Sequence, residues 1–198
     1  MLPELQPVLP GGVARAFIAV EIGAEAKDAL ERAVERLRTT QAQVKWVSRQ
    51  NWHLTLNFLG DVERVRLAAI GQALREETAH VPAFEIALRG LQPFPPGRQP
   101  RIVAASVMDG NGGLAKLNAR LEARLKDFGV PAERRGFHAH LTLGRVNGSR
   151  GLEELWQTVR TCESKHFGTS RVSEVVLFES ELLPQGARYA KLETAPLA

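Results

Sequence analysis

The chain is predicted to be an α+β protein, and three observations predict it. Several short stretches read as strands, and three longer ones carry apolar residues at helical spacing. An identical tetrapeptide occurs once in each half: His53-Leu54-Thr55-Leu56 returns as His140-Leu141-Thr142-Leu143. The segments between strands are long enough for crossover helices, which mixes helices with a sheet.

In chain order, Met1 to Gly12 is rich in proline and glycine and is expected to be a flexible tail, residues 1–13. One domain follows over 14–198. Residues 14 to 22 read as a buried strand. Ala24 to about Thr40 places Ala29, Leu30, Ala33, Val34 and Leu37 on one face of a helix. Val44 to Val47 is a short strand, and the first motif strand spans 52 to 58, ended by Gly60-Asp61. Glu63 to Thr78 is a second helix, with His80 just beyond its end. Ala83 to Leu91 is a strand. Residues 92 to 100 hold four prolines and read as a loop, because proline cannot donate to a ladder or a helix interior. In it, Phe94 could stack on a base or plug the core, and the plug is slightly favoured.

Arg101 to Met108 is a strand, and Leu114 to Phe128 is a third helix stopped by Gly129. Arg134-Arg135 adds charge before the second motif strand, 137 to 146. A short helix lies within 148 to 161. Glu163 to Ser170, polar and containing glycine and His166, reads as a mobile loop. Val172 to Phe178 and Ala187 to Glu193 close the chain as two strands.

Alternation on a strand puts His53 and Thr55 on one face and Leu54 and Leu56 on the other. The second copy repeats this for His140 with Thr142. If the two strands face a common cleft, two imidazoles and two hydroxyls converge. That is equipment for in-line attack on a phosphodiester: one His takes a proton from the nucleophile and the other gives one to the leaving oxygen. A single such tetrapeptide is more often an ordinary strand with a hydrogen-bonded histidine. Two copies, using two of the five histidines, favour function. His138 shares the His140 face by alternation but belongs to no repeat. Asn57 shares the His53 face. Trp46 and Phe58 could stack on a base, with core packing the favoured use of each. Alternation puts Arg145 opposite His140, so it reaches the site only if the strand bends or its side chain wraps round.

The chain has 198 residues, 44% hydrophobic and 24% charged, as expected of a globular protein with a sizeable core. No apolar run approaches the ~20 residues of a membrane span, and no secretory signal pattern opens the chain. A single cysteine, Cys162, offers neither an internal disulfide nor a metal cluster and fits the cytoplasm. The net charge of +4 suits an anionic partner such as nucleic acid. Pairing each His with Thr instead of further ligands disfavours a metal hydrolase, and no cofactor is expected.

The doubled His-x-Thr resembles the signature of the 2H phosphoesterase superfamily. Trp52 to Gly60 and Phe137 to Arg145 are similar to the two motifs of its RNA 2′,3′-cyclic phosphodiesterases, also called the 2′-5′ RNA ligase family. Arg15 to Val20, Val175 to Ser180 and Tyr189 extend the resemblance. Ala139 stands where the family usually has proline, and Glu21-Ile22-Gly23-Ala24 lacks its usual proline.

The resemblance implies two pseudo-symmetric βαβ-type lobes, with mainly antiparallel sheets flanking a central active-site groove. It implies hydrolysis of RNA 2′,3′-cyclic phosphate ends to 2′-phosphate, with reversible 2′-5′ ligation as a further activity. His53 is then the proton donor and His140 the acceptor, while Thr55, Thr142 and Arg145 bind the phosphate. The expected partner is an RNA or nucleotide with a 2′,3′-cyclic phosphate, bound by a monomer. The alternative is a module that binds an AMP-like mononucleotide in the same groove without turnover.

Overall fold

The computed structural model describes residues 12–97, 99–133, 136–184 and 186–198. The expected tail therefore lies almost wholly outside the described residues, as do Arg134-Arg135. The elements are β1 (Val13–Glu21), α1 (Ala24–Arg38), β2 (Val44–Trp46), β3 (His53–Glu63), α2 (Arg64–Thr78), β4 (Phe84–Phe94) and β5 (Ile102–Met108). Then come α3 (Gly113–Leu125), β6 (His140–Val146), α4 (Leu152–Arg160), β7 (His166–Val172), β8 (Glu174–Leu183) and β9 (Gly186–Pro196).

The strands run antiparallel in the order β7-β4-β5-β6-β3-β1-β8-β9, with β2 on β6. The two motif strands, β6 and β3, meet at the centre. Each half then reads outward the same way: motif strand, the strand before its helix, and two outer strands. The α+β class and the doubled build hold. The halves are not two separate sheets, because Leu54 pairs with Leu141 and makes the sheet continuous.

α1 buries Ala26, Leu30, Ala33, Val34 and Leu37, a stripe at helical spacing, against the sheet. Each large side chain so buried contributes about 1.5–3 kcal/mol. The helices cross over. α1, following β1, packs on β7 and α4 of the other half, whereas α3, following β5, packs on β3 and α2. The helix side holds the main core, which runs through both halves. Phe17, Ala19, Val176 and Phe178, with Tyr189 against them, form a smaller cluster apart from that core.

Several boundaries differ from the sequence reading, three of them with a clear cause. β3 runs through Gly60 to Glu63, because Gly60 takes φ +71° at a register shift and keeps the ladder to β1. β4 runs through Pro93 to Phe94, which pairs with Ile102. The supposed loop 163–170 is largely β7: Phe167 and Ser170 turn inward, while Gly168 at φ +108° breaks the alternation that would have revealed it.

Candidate active site

Both motifs carry the same irregularity. Ala19 pairs with Thr55 and Ile18 with Asn57, leaving Leu56 unmatched. Ala104 pairs with Thr142 and Val103 with Gly144, leaving Leu143 unmatched. An extra residue in one strand inverts the faces beyond it. His53, Thr55, His140 and Thr142 stay on the face away from the main core, and the four leucines are buried. Past the bulge the faces swap.

Three expectations change for that reason, two of them based on strict alternation. Arg145 does not lie opposite His140. It is exposed on the site face, and its charge acts on His53, His140 and Tyr189. Lys45, its partner in register on β2, shares that face. Asn57 leaves the site and is 8% exposed; its Nδ2 donates to the Asn118 carbonyl on α3 at 3.4 Å. Phe58 is 61% exposed and so is not a core residue, with its ring 6.3 Å from Phe17. Trp46 does pack against the core.

The two imidazoles are held alike. His53 Nδ1 lies 2.7 Å from the Asn51 carbonyl and His140 Nδ1 lies 2.8 Å from the His138 carbonyl. A carbonyl only accepts, so each Nδ1 carries the proton and each Nε2 is left for chemistry. His138 itself precedes β6 and is exposed, so it serves through its backbone oxygen and not by sharing a strand face. Each ring also has an aromatic face. Phe17 stacks on His53 at 4.8 Å, and Tyr189 meets it edge-on at 5.3 Å. Phe94 stacks on His140 at 4.0 Å. Phe94 is thus a wall of the site and not a core plug. The sequence signal for it is only an aromatic residue in a proline-rich stretch.

Burial lowers both histidines below the ordinary value of 6.5. At His53 the Asn51 carbonyl and Glu21 oppose the shift, and Lys27 and Arg145 add to it. At His140 the His138 carbonyl opposes it, and Arg145 and His138 add to it. Among the described residues a carboxylate acts on His53 and none on His140: Glu21 pairs with His53 in register on β1 and forms an ion pair with Lys191. A cleft of about 160 Å³ opens beside His53, lined by Glu21, Gln50, Asn51, Phe178, Tyr189 and Lys191 among others. A larger, open depression at the start of α4 bears none of these groups. Among the described residues neither threonine hydroxyl of the motifs is engaged by another residue, and no three His, Cys, Asp or Glu side chains gather as a metal site.

Two His-x-Thr strands meeting at the centre of a doubled α+β sheet are the arrangement of a 2H phosphoesterase. A family model described as the 2′-5′ RNA ligase superfamily matches residues 26–182. The chain belongs to that superfamily. It is 35% identical to the RNA 2′,3′-cyclic phosphodiesterase of Methanothermobacter thermautotrophicus over 179 residues, 90% of this chain and 96% of the relative. It is 34% identical to the enzyme of that name from Aeropyrum pernix, over 82% of this chain and 92% of the relative. Among solved structures, a Thermus thermophilus protein matches with TM-score 0.78 and 27% identity, over 92% of this chain and 97% of its own. LigT of E. coli matches in fold with TM-score 0.74 and 23% identity, over 94% and 98%.

Proposed function

We propose that this chain hydrolyses the 2′,3′-cyclic phosphate at RNA ends to a 2′-phosphate, without a metal. His140 Nε2 takes a proton from water as it attacks phosphorus. His53, protonated on Nε2, gives a proton to the departing O3′. Thr55, Thr142 and Arg145 hold the non-bridging oxygens. The observation that carries this reading is the matched pair of imidazoles, each locked through Nδ1 to the carbonyl two residues back, beside two unengaged hydroxyls and an arginine. Glu21 beside His53 supports the donor role there, since a carboxylate favours the protonated ring. The relatives named RNA 2′,3′-cyclic phosphodiesterase support the substrate. With a 5′-hydroxyl in place of water as the nucleophile, the same groups join it to a 2′,3′-cyclic end as a 2′-5′ linkage, and O3′ again leaves with the proton from His53. Both halves of the site come from one chain, which supports a monomer. The buried, free Cys162 suits the reducing cytoplasm.

The test is incubation of the purified protein with 2′,3′-cyclic AMP and with an RNA ending in a 2′,3′-cyclic phosphate, in EDTA, with phosphorus NMR to identify the product. A 2′-phosphate is expected. His53→Ala or His140→Ala should each reduce turnover about 10²–10⁴-fold, the usual contribution of a positioned acid or base. Tight nucleotide binding without turnover would instead establish a binding module.

A further inference from the structure

The outer strands of the two halves differ on the site face. In the first half Lys191, the cation that β8 and β9 carry on this face among the described residues, is neutralised by Glu21. In the second half Arg89 on β4 and Arg171 on β7 are exposed, and neither makes an ion pair with a described residue. Helices pack β4 and β7 on the opposite side, where Ile86, Leu88, Phe167 and Val172 are buried.

Register places these arginines relative to the catalytic row. His140 pairs with Ser106, and Ser106 faces the bulged pair Arg89-Gly90. Arg89 therefore lies two strand spacings from His140, roughly 10 Å. Gly90 takes φ +78°, its amide donates to the Lys165 carbonyl at 2.8 Å, and a Cβ there would collide with the Glu163 carbonyl oxygen. The bulge that presents Arg89 thus depends on glycine. Further along come Met108, 52% exposed and paired with Ala87, and then Arg171 opposite Glu85.

We propose that this face of β4, β5 and β7 is the docking surface for the single-stranded RNA body that leads to the cyclic end, with Arg89 and Arg171 on its phosphates and Met108 against a base. The proposal rests on the phosphodiesterase reading and extends it from the terminal nucleotide to the polymer. Unpaired guanidinium groups match phosphate oxygens in charge and geometry. The surface is also continuous with the phosphodiester site through Ser106. The isolated Glu85 does not cancel two arginines.

The experiment compares kcat/KM on 2′,3′-cyclic AMP with kcat/KM on an eight-nucleotide RNA ending in a 2′,3′-cyclic phosphate, at several salt concentrations. The variants are Arg89→Ala with Arg171→Ala, and Arg89→Lys with Arg171→Lys. The alanine pair should lose about tenfold or more on the RNA, and its salt slope should flatten by roughly 1.4, the counterion release of two single-strand phosphates. The mononucleotide should be turned over as by the wild type, and the lysine pair should keep most of the RNA activity. Equal loss on both substrates, or no loss on the RNA, overturns the surface. If the wild type turns over neither substrate, the functional reading fails. Fluorescence anisotropy with the same RNA ending in a hydroxyl then decides the surface. Weaker binding by the alanine pair supports it, and unchanged binding overturns it.

Discussion

Leu54 and Leu141 face each other as the register pair between the two motif strands. Both are buried, at 1% and 0% exposure. In an antiparallel pair centred there, His53 is the neighbour of Thr142 and Thr55 of His140. The two leucines therefore set the spacing between the two His-x-Thr motifs from the buried face of the sheet.

Leu141→Ala is expected to cost about 2–5 kcal/mol of stability, the range for deleting a buried leucine side chain. It should also lower kcat on 2′,3′-cyclic AMP well below the wild type at temperatures where the variant stays folded. Urea unfolding and steady-state kinetics check the two effects separately. A stability loss with normal kcat would show that the spacing is held elsewhere.

The pH profile of kcat/KM should be bell-shaped with its maximum on the acid side of 6.5, because burial lowers both histidines in the free protein. Glu21 raises His53 alone. Glu21→Gln should therefore move the alkaline limb to lower pH and leave the acid limb in place. Movement of the acid limb instead would exchange the two histidine roles.

The same shifts make stability depend on pH. With folded values below 6.5, the unfolded chain binds more protons as pH falls through 6.5 toward those values. Both histidines therefore contribute full stability above about 6.5 and progressively less below it. The urea midpoint of the wild type should drop more between pH 7.5 and pH 5 than that of a His53→Gln, His140→Gln double variant. Equal drops would mean that neither ring is buried enough to matter.

Gly144→Ala should disturb Arg145. A Cβ at Gly144 would stand 2.6 Å from Val44 and 2.8 Å from the Trp46 ring. β2 must then move away from β6 at the bulge that turns Arg145 onto the site face. The expected result is a raised KM for the cyclic phosphate together with reduced stability. Arg145→Ala should raise KM with little change in the urea midpoint, which separates the packing effect from the proposed phosphate contact.

The candidate site is legible in the sequence because its motif is written twice. His53, Thr55, His140 and Thr142 need only a repeat and a period of two. Arg145 and Asn57 are misplaced by alternation, and Phe58 is misread as core, because the bulges at Leu56 and Leu143 are properties of pairing with β1 and β5, and one strand read alone shows no partner. Phe94 is misjudged for a related reason. Its proline neighbours argue for a loop, yet the ladder to β5 continues through Pro93 and delivers the ring to His140. β7 escapes a sequence reading because its exposed face is polar and Gly168 interrupts its pattern.

The exchange of α1 and α3 between the halves bears on ancestry. One β-α-β-α unit cut from this chain would send its first helix to a neighbour and keep only its second over its own strands. Its core would be completed by a second copy returning the favour. A founding half-length gene would on this geometry have encoded a helix-swapped homodimer, with one His-x-Thr from each subunit at the twofold axis. Fusion of two such genes would preserve the interlock and free the outer strands to diverge, one set toward aromatic residues and the other toward arginine.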